Sequence, residues 1–196
     1  GKTTRMLAAL ERYQYQNRTT MLFKPWMDTR YTDEKVVVTH KGQEHNSILV
    51  NNGEEIFEKA LQADVVAVDE LFMIPGSAEY LISLFKKGKT ILVSTLQLSS
   101  LPSGYTVFKE PRDLMPWATS IEVCPAVCSQ CDRDAFYTQR IGQQPKKILV
   151  GGVEDYQPVC WEHWVFDREF HLLNFLNQLS AVSAPLWNLS IILFVL

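Results

Sequence analysis

Two short stretches hold residues that together can handle a phosphorylated ligand. The first is Gly1-Lys2-Thr3-Thr4. It closes the pattern G-x-x-x-x-G-K-[ST], in which backbone N–H groups cradle phosphates, the lysine reaches the outer phosphates and the hydroxyl sits on magnesium. Only the last part of that pattern is present, with no initiator methionine and no strand ahead of it, so the chain is expected to be a piece of a longer protein. Standing alone, the tetrapeptide reads better as an ordinary helix start. The second stretch is "ADVVAVDEL", where the apolar run Val65 to Val68 ends in Asp69 and Glu70. A buried strand that delivers carboxylates to the C-terminal edge of a parallel sheet puts them where open α/β sheets bind ligands. There Asp69 can hold a magnesium ion through water and Glu70 can serve as a general base. Alone, this pair also reads as a solvated strand end capping the next helix. Both signals on one chain make nucleotide binding the better joint explanation, with Gly1, Lys2, Thr3, Thr4 and Asp69 on the nucleotide and its Mg2+ and Glu70 on the reacting group.

The four cysteines are Cys124, Cys128, Cys131 and Cys160. "CSQC" is a Cys-x2-Cys pair at Cys128 and Cys131, and "CWEH" a Cys-x2-His pair at Cys160 and His163. Two such knuckles can close a tetrahedral zinc site, and four protein ligands leave no open position, so the zinc is expected to be structural. A four-cysteine site with Cys124 in place of His163 is the alternative ligand set. Clustering of the thiols in one region argues against a disulfide framework and for a reducing, cytoplasmic setting.

These residues need elements to place them. Met6, Leu7, Leu10 and Tyr13 recur at helical spacing directly behind Gly1-Lys2-Thr3-Thr4, where a phosphate loop requires its helix. "TTMLFKP", "DVVAVDE" and "KTILVST" read as strands and "EEIFEKALQ" and "SAEYLISLFKKG" as helices. That alternation predicts an α/β fold: a P-loop NTPase-like parallel sheet flanked by helices. Beyond about Thr119 the texture changes to cysteines, turns and the extended segments "AFYTQRIG" and "KKILVGG". The expected division is therefore an α/β domain over residues 1–118, a small zinc-binding module over 119–166 and an apolar C-terminal extension over 167–196. The 196 residues carry a net charge of −3, with 46% hydrophobic and 21% charged residues. Such a balance suits a soluble domain and gives no basic field for stable nucleic-acid binding. The closing "PLWNLSIILFVL" is short of the roughly 20 residues of a membrane helix, so no membrane association is expected.

With these residues in place, the chain resembles the type II, zinc-containing thymidine kinases from Gly1 to about His163. The most specific match is "KPWMDTRYT", in which Lys24, Asp28, Thr29, Arg30 and Tyr31 fit the family's K-x-x-x-D-T-R-Y. "THKG" around His40, "AVCSQC", "YTQRIG" and "GGVEDYQPVC" are further matches. The resemblance implies a kinase that moves the γ-phosphoryl group of ATP to the 5'-hydroxyl of thymidine, with ATP, Mg2+ and structural Zn2+ bound and a homotetrameric assembly. It implies phosphate and magnesium contacts from Lys2 and Thr3, an arginine near the transferring phosphate at Arg30 with acidic Asp28 beside it, and the base at Glu70. A loop held by the zinc module would cover the thymine, with Thr138 and Tyr156 in that pocket.

Two segments depart from the family. "DELFMI" stands where the family commonly reads D-E-G-Q-F-F, so Leu71 and Phe72 replace a small residue and an amide, and Met73 takes the stacking-aromatic position. Phe72 and Met73 are the candidate nucleoside contacts there. "LQLSS", Leu96 to Ser100, replaces L-D-G-T-F and removes an acid and an aromatic. These changes suggest a rival reading as a non-catalytic nucleotide- or nucleoside-binding relative. A nucleic-acid-dependent ATPase is a third reading, opposed by the acidic charge balance and the Asp28 to Tyr31 signature.

Overall fold

The computed structural model describes residues 1–28, 36–38, 44–101, 104–141 and 155–164. Arg30, the His40 motif, "KKILVGG" and the extension 167–196 lie outside them. The elements run α1 (Lys2–Tyr15), β1 (Thr20–Pro25), β2 (Val36–Val38), β3 (Glu44–Asn46), β4 (Ile48–Val50), α2 (Gly53–Ala60), β5 (Val65–Val68), α3 (Ser77–Lys86), β6 (Thr90–Val93), β7 (Leu98–Leu101), β8 (Gly104–Val107), α4 (Lys109–Leu114), β9 (Ala126–Val127), β10 (Asp134–Ala135), β11 (Tyr137–Arg140) and β12 (Tyr156–Val159). A 3-10 turn, Leu71–Met73, follows β5.

Four strands form a sheet in the order β4-β1-β5-β6. All three pairings are parallel. Because side chains alternate along a strand, the sheet has two separate cores. Val65 and Ala67 pack with Leu22 against Met6, Leu7 and Leu10 of α1. Val66 and Val68 pack with Phe23 against Ile56 of α2 and Leu81 and Leu84 of α3. All four β5 residues are fully buried, which is why the sequence there is continuously apolar.

The remaining strands pair in antiparallel twos. Of these, the β7–β8 hairpin falls on the divergent "LQLSS" segment, and β9–β10 and β11–β12 frame the cysteine region. Leu98 of the hairpin packs with the cysteine cluster. Ser100 Oγ accepts the Arg140 N–H at 2.8 Å, so the serine that replaces a family aromatic docks the hairpin on β11.

α2 starts close under the loop before α3. Its N-cap Asn52 accepts the Glu55 N–H at 3.0 Å, and the Gly53 N–H donates to Pro75 O at 3.0 Å. A Cβ on Gly53 would lie 2.5 Å from the Gly76 carbonyl oxygen, so this position admits only glycine without a backbone shift. Gly53→Ala is therefore expected to lower stability by about 1–3 kcal/mol, the scale of overpacking, in urea unfolding. Asn52→Ala should cost about 1 kcal/mol through the lost cap. A Gly53→Ala protein as stable as wild type would mean that the α2–α3 approach is looser than described.

Candidate active site and metal centre

The strand alternation that builds the two cores also sorts the two carboxylates after β5. Asp69 continues the parity of Val65 and Ala67 and emerges on the α1 face. There the Thr3 hydroxyl donates to its carboxylate, 3.2 Å from Oδ1 and 3.1 Å from Oδ2. The Asp69 N–H continues the sheet pairing to Phe23 O at 2.9 Å, and Oδ1 also accepts the Glu70 N–H at 3.1 Å. Asp69 is buried, and burial together with the neighbouring negative charge of Glu70 pushes its carboxyl up to about 6. The hydroxyls of Ser94 and Thr3 and the charge of Lys2 pull it partly back. Such a carboxylate is short of positive charge, which fits a site for a divalent cation.

Lys2 opens α1, with Gly1 as its N-cap and no side chain capping the helix. The first intrahelical bond is from the Arg5 N–H to Gly1 O at 3.1 Å. The N–H groups of Lys2, Thr3 and Thr4 therefore point out of the helix start with the positive end of its dipole, a geometry suited to phosphate. The donor set fits a magnesium-bound polyphosphate: amides and an ammonium for phosphate oxygens, a hydroxyl and a carboxylate for the ion.

Glu70 leaves the sheet differently. Its backbone is left-handed, φ 49° and ψ 46°, a conformation that costs an ordinary L-residue roughly 1–2 kcal/mol. The side chain is buried at 8% exposure. Strain held at a charged residue on a sheet's C-terminal edge points to a side chain kept for its chemistry.

The other expected nucleoside contacts are spread over neighbouring surfaces. The Phe72 ring packs on Phe108 at a tilt of 37°, with ring centroids 4.5 Å apart, while Met73 is buried. The Phe108 N–H donates to Gln97 O at 3.0 Å. Gln97 in turn lines a small surface cleft with Leu96, Ser99, Phe136 and Thr138. Thr138 thus faces the divergent "LQLSS" segment, to which Phe72 is tied through Phe108. Tyr156 pairs with Arg140 across β11–β12, whose guanidinium lies 5.6 Å from the Tyr156 ring centroid. Asp28 sits in the turn after β1, its N–H donating to Pro25 O at 3.1 Å.

Two contacts near the site have no local sequence signal. The Leu71 N–H donates to Ser94 O at 3.1 Å, tying the segment after Glu70 to the end of β6. Glu110 of α4 reaches the start of α3, 32 and 34 positions back along the chain.

In the cysteine region the ligand atoms of Cys128, Cys131, Cys160 and His163 lie within 4.8 Å of one another. Cys124 is not in that group. The Sγ atoms of Cys131 and Cys160 are 3.8 Å apart, and His163 Nδ1 lies 3.5 Å from Cys128 Sγ and 3.3 Å from Cys160 Sγ. A tetrahedral zinc with bonds of about 2.3 Å to sulfur and 2.0–2.1 Å to nitrogen separates two sulfurs by about 3.8 Å and sulfur from nitrogen by about 3.5 Å. The cluster therefore fits zinc by both donor type and spacing. Burial pushes the Cys128 thiol up, but backbone hydrogen bonds at Cys160 and Gln130 and the His163 contact outweigh it and bring the thiol down to about 6. Tyr137 and Trp164 stack beside the cluster at 4.3 Å. Cys131→Ser is expected to lose zinc and loosen this region, whereas Cys124→Ser should keep one zinc per chain by metal analysis. The reverse result would move the ligand role to Cys124.

Among the described residues no helix is long and apolar enough to cross a membrane. A family model described as "Thymidine kinase" matches residues 1–164. The thymidine kinase of Thermococcus kodakarensis is 33% identical over 182 residues, covering 86% of this chain and 90% of its own. That of Pyrobaculum aerophilum is 30% identical over 175 residues, covering 84% and 92%. The human cytosolic thymidine kinase is 28% identical over 162 residues, covering 82% of this chain and 66% of its own.

Proposed function

This chain belongs to the thymidine kinase family, and we propose that it transfers the γ-phosphoryl group of ATP to the 5'-hydroxyl of thymidine, giving ADP and dTMP. The observation that carries this reading is the meeting of Thr3 with Asp69 at the start of α1, with Glu70 next in the chain and held in a strained backbone. Phosphoryl transfer needs positioning, charge neutralisation and an oriented nucleophile. Lys2 and the amides of Lys2, Thr3 and Thr4 bind the polyphosphate. Thr3 and Asp69 would hold the Mg2+, Asp69 through water, and the ion supplies charge neutralisation on the phosphate oxygens when bound. Glu70 accepts the proton of the 5'-hydroxyl as that oxygen attacks. Arg30 and Asp28 complete the phosphate side by resemblance.

Thymidine is read by the module that Cys128, Cys131, Cys160 and His163 hold together around zinc, with Thr138, Tyr156, Phe72 and Met73 as the candidate contacts. Main-chain recognition of the pyrimidine edge tolerates the altered "DELFMI" and "LQLSS" segments. The zinc is structural, and its ligands couple the module's folding to metal. The setting in this reading is a cytoplasmic homo-oligomer, tetrameric by resemblance, with no stable nucleic-acid partner. The side chains for phosphate, cation and proton transfer are all present, which favours turnover over a binding-only relative.

Full-length, zinc-loaded protein is expected to phosphorylate thymidine and deoxyuridine in preference to deoxyguanosine and deoxyadenosine. Loss of aromatic stacking worth about 1–3 kcal/mol per base should appear as a raised KM. Preferential turnover of a purine nucleoside would reject the thymidine reading, and no turnover of any nucleoside would favour the binding-only relative. Glu70→Gln should lower kcat by at least about 10²-fold, the scale of general-base catalysis. Glu70→Gly, which relieves the left-handed strain, should be equally inactive with an unchanged or raised Tm. An active Glu70→Gly protein would remove Glu70 from the reaction.

A further inference from the structure

The segment that carries Glu70 runs through the 3-10 turn to the start of α3, and its far end is held from outside. α3 begins behind Gly76, which is left-handed at φ 73°, and no N-cap side chain serves the helix's first turn. Those first N–H groups require acceptors. Glu110 of α4 supplies them. Its Oε1 accepts the Gly76 N–H at 3.0 Å and its Oε2 the Ala78 N–H at 2.8 Å, with the Ser77 hydroxyl 3.4 Å from Oε2. Glu110 is 6% exposed and Ser77 is fully buried, so water does not replace these contacts easily.

We propose that Glu110 is a positioning residue for phosphoryl transfer, fixing the Glu70–Gly76 segment so that Glu70 meets the nucleoside hydroxyl. The proposal rests on the reading of Glu70 as the base. A strained backbone persists only where its surroundings over-determine it, and this segment is restrained along its length. Next to Glu70, the Leu71 N–H is bound to Ser94 O, and the Met73 N–H donates to Glu70 O at 3.0 Å. The Phe72 ring packs against that of Phe108, the residue just ahead of α4. At the far end, Gly53 leaves no room on the α2 side of Gly76. α4 therefore grips the segment twice, by a ring at Phe72 and by a carboxylate at Gly76 to Ala78. Without the carboxylate, the start of α3 has unsatisfied buried N–H groups, and the turn is free to shift away from Phe108. The Thr3–Asp69 pair lies on the opposite, α1 face of the sheet, where the Asp69 backbone is held separately by its N–H to Phe23 O.

The test compares Glu110→Ala, Glu110→Gln and Glu70→Gln in full-length, zinc-loaded protein with ATP and thymidine, at a temperature where circular dichroism finds each variant folded. Small misplacements of reacting groups can cost up to about 10²-fold, and Glu110→Ala is expected to lower kcat by about tenfold or more with the KM for ATP within about twofold of wild type. Glu110→Gln keeps the side-chain shape and one carbonyl acceptor but sets its NH2 against the other buried N–H, so its kcat should fall between those of Glu110→Ala and wild type. A folded Glu110→Ala protein with wild-type kcat overturns the proposal, as does a loss in kcat no larger than the loss in folded fraction. Should Glu110→Ala not fold, Glu110→Asp decides: the carboxylate drawn back by one methylene lowers kcat alone if Glu110 positions the base, and a wild-type kcat rejects it. Glu70→Gln separates the two readings. Wild-type turnover in that variant defeats the assignment of the base and the proposal with it, whereas a slow Glu70→Gln beside a fast Glu110→Ala defeats only the positioning role.

Discussion

The contact on which the site depends is the hydroxyl of Thr3 against the carboxylate of Asp69. It joins the first turn of a helix to the end of a buried strand, and it forms only if α1 lies along the face of the sheet that Val65 and Ala67 present. Burial leaves Asp69 with a carboxyl raised to about 6, a local deficit of positive charge that a divalent ion and the Lys2 ammonium can relieve. The helix start that supplies Thr3 also presents the outward-pointing amides of its first turn, a geometry suited to phosphate. Packing, electrostatics and ligand geometry thus converge on one strand end.

The next residue obeys a different constraint. A strand continuing past Asp69 would carry Glu70 to the α2–α3 face, but the chain turns left-handed there and enters the 3-10 turn. The segment from there to the start of α3 is bound by Ser94, by Gly53, and by Phe108 and Glu110 together, three separate stretches of the chain. The cysteine cluster is supported in a comparable way. Its knuckles are set by the Cys128 N–H to Arg133 O at 2.9 Å and the Ser129 N–H to Pro158 O at 2.9 Å, and the β7–β8 hairpin reaches it through Leu98 and Ser100. The cleft beside Thr138 therefore lies between the β7–β8 hairpin and the cysteine cluster.

Much of the sheet was legible because its determinants are local. The all-apolar run Val65 to Val68, short and rich in β-branched valine, marks a strand buried on both faces, and Met6, Leu7 and Leu10 mark one side of a helix. Cys-x2-Cys and Cys-x2-His spacing likewise selected the four side chains that converge in space. The β7–β8 hairpin was not read although Pro102-Ser103-Gly104 is a turn signal, because "LQLSS" lacks clear alternation and its pairing depends on Ser99 bonding to Thr106. Nor was Glu110, since an acid in "FKEPRDL" gives no hint that its partners are the amides of Gly76 and Ala78. The left-handed backbone at Glu70 leaves no mark in composition at all, since glutamate is not a residue chosen for that conformation.

In the proposed reaction two adjacent carboxylates take opposite tasks, Asp69 serving the cation and nucleotide and Glu70 the proton. The most direct measurement is the affinity of full-length protein for Mg·ATP, by calorimetry, in Asp69→Asn and Glu70→Gln. Asp69→Asn is expected to weaken Mg·ATP binding markedly, while Glu70→Gln binds it as wild type does and yet turns over slowly. Equal losses of affinity in the two variants, or an unchanged affinity in Asp69→Asn, would contradict the division of roles.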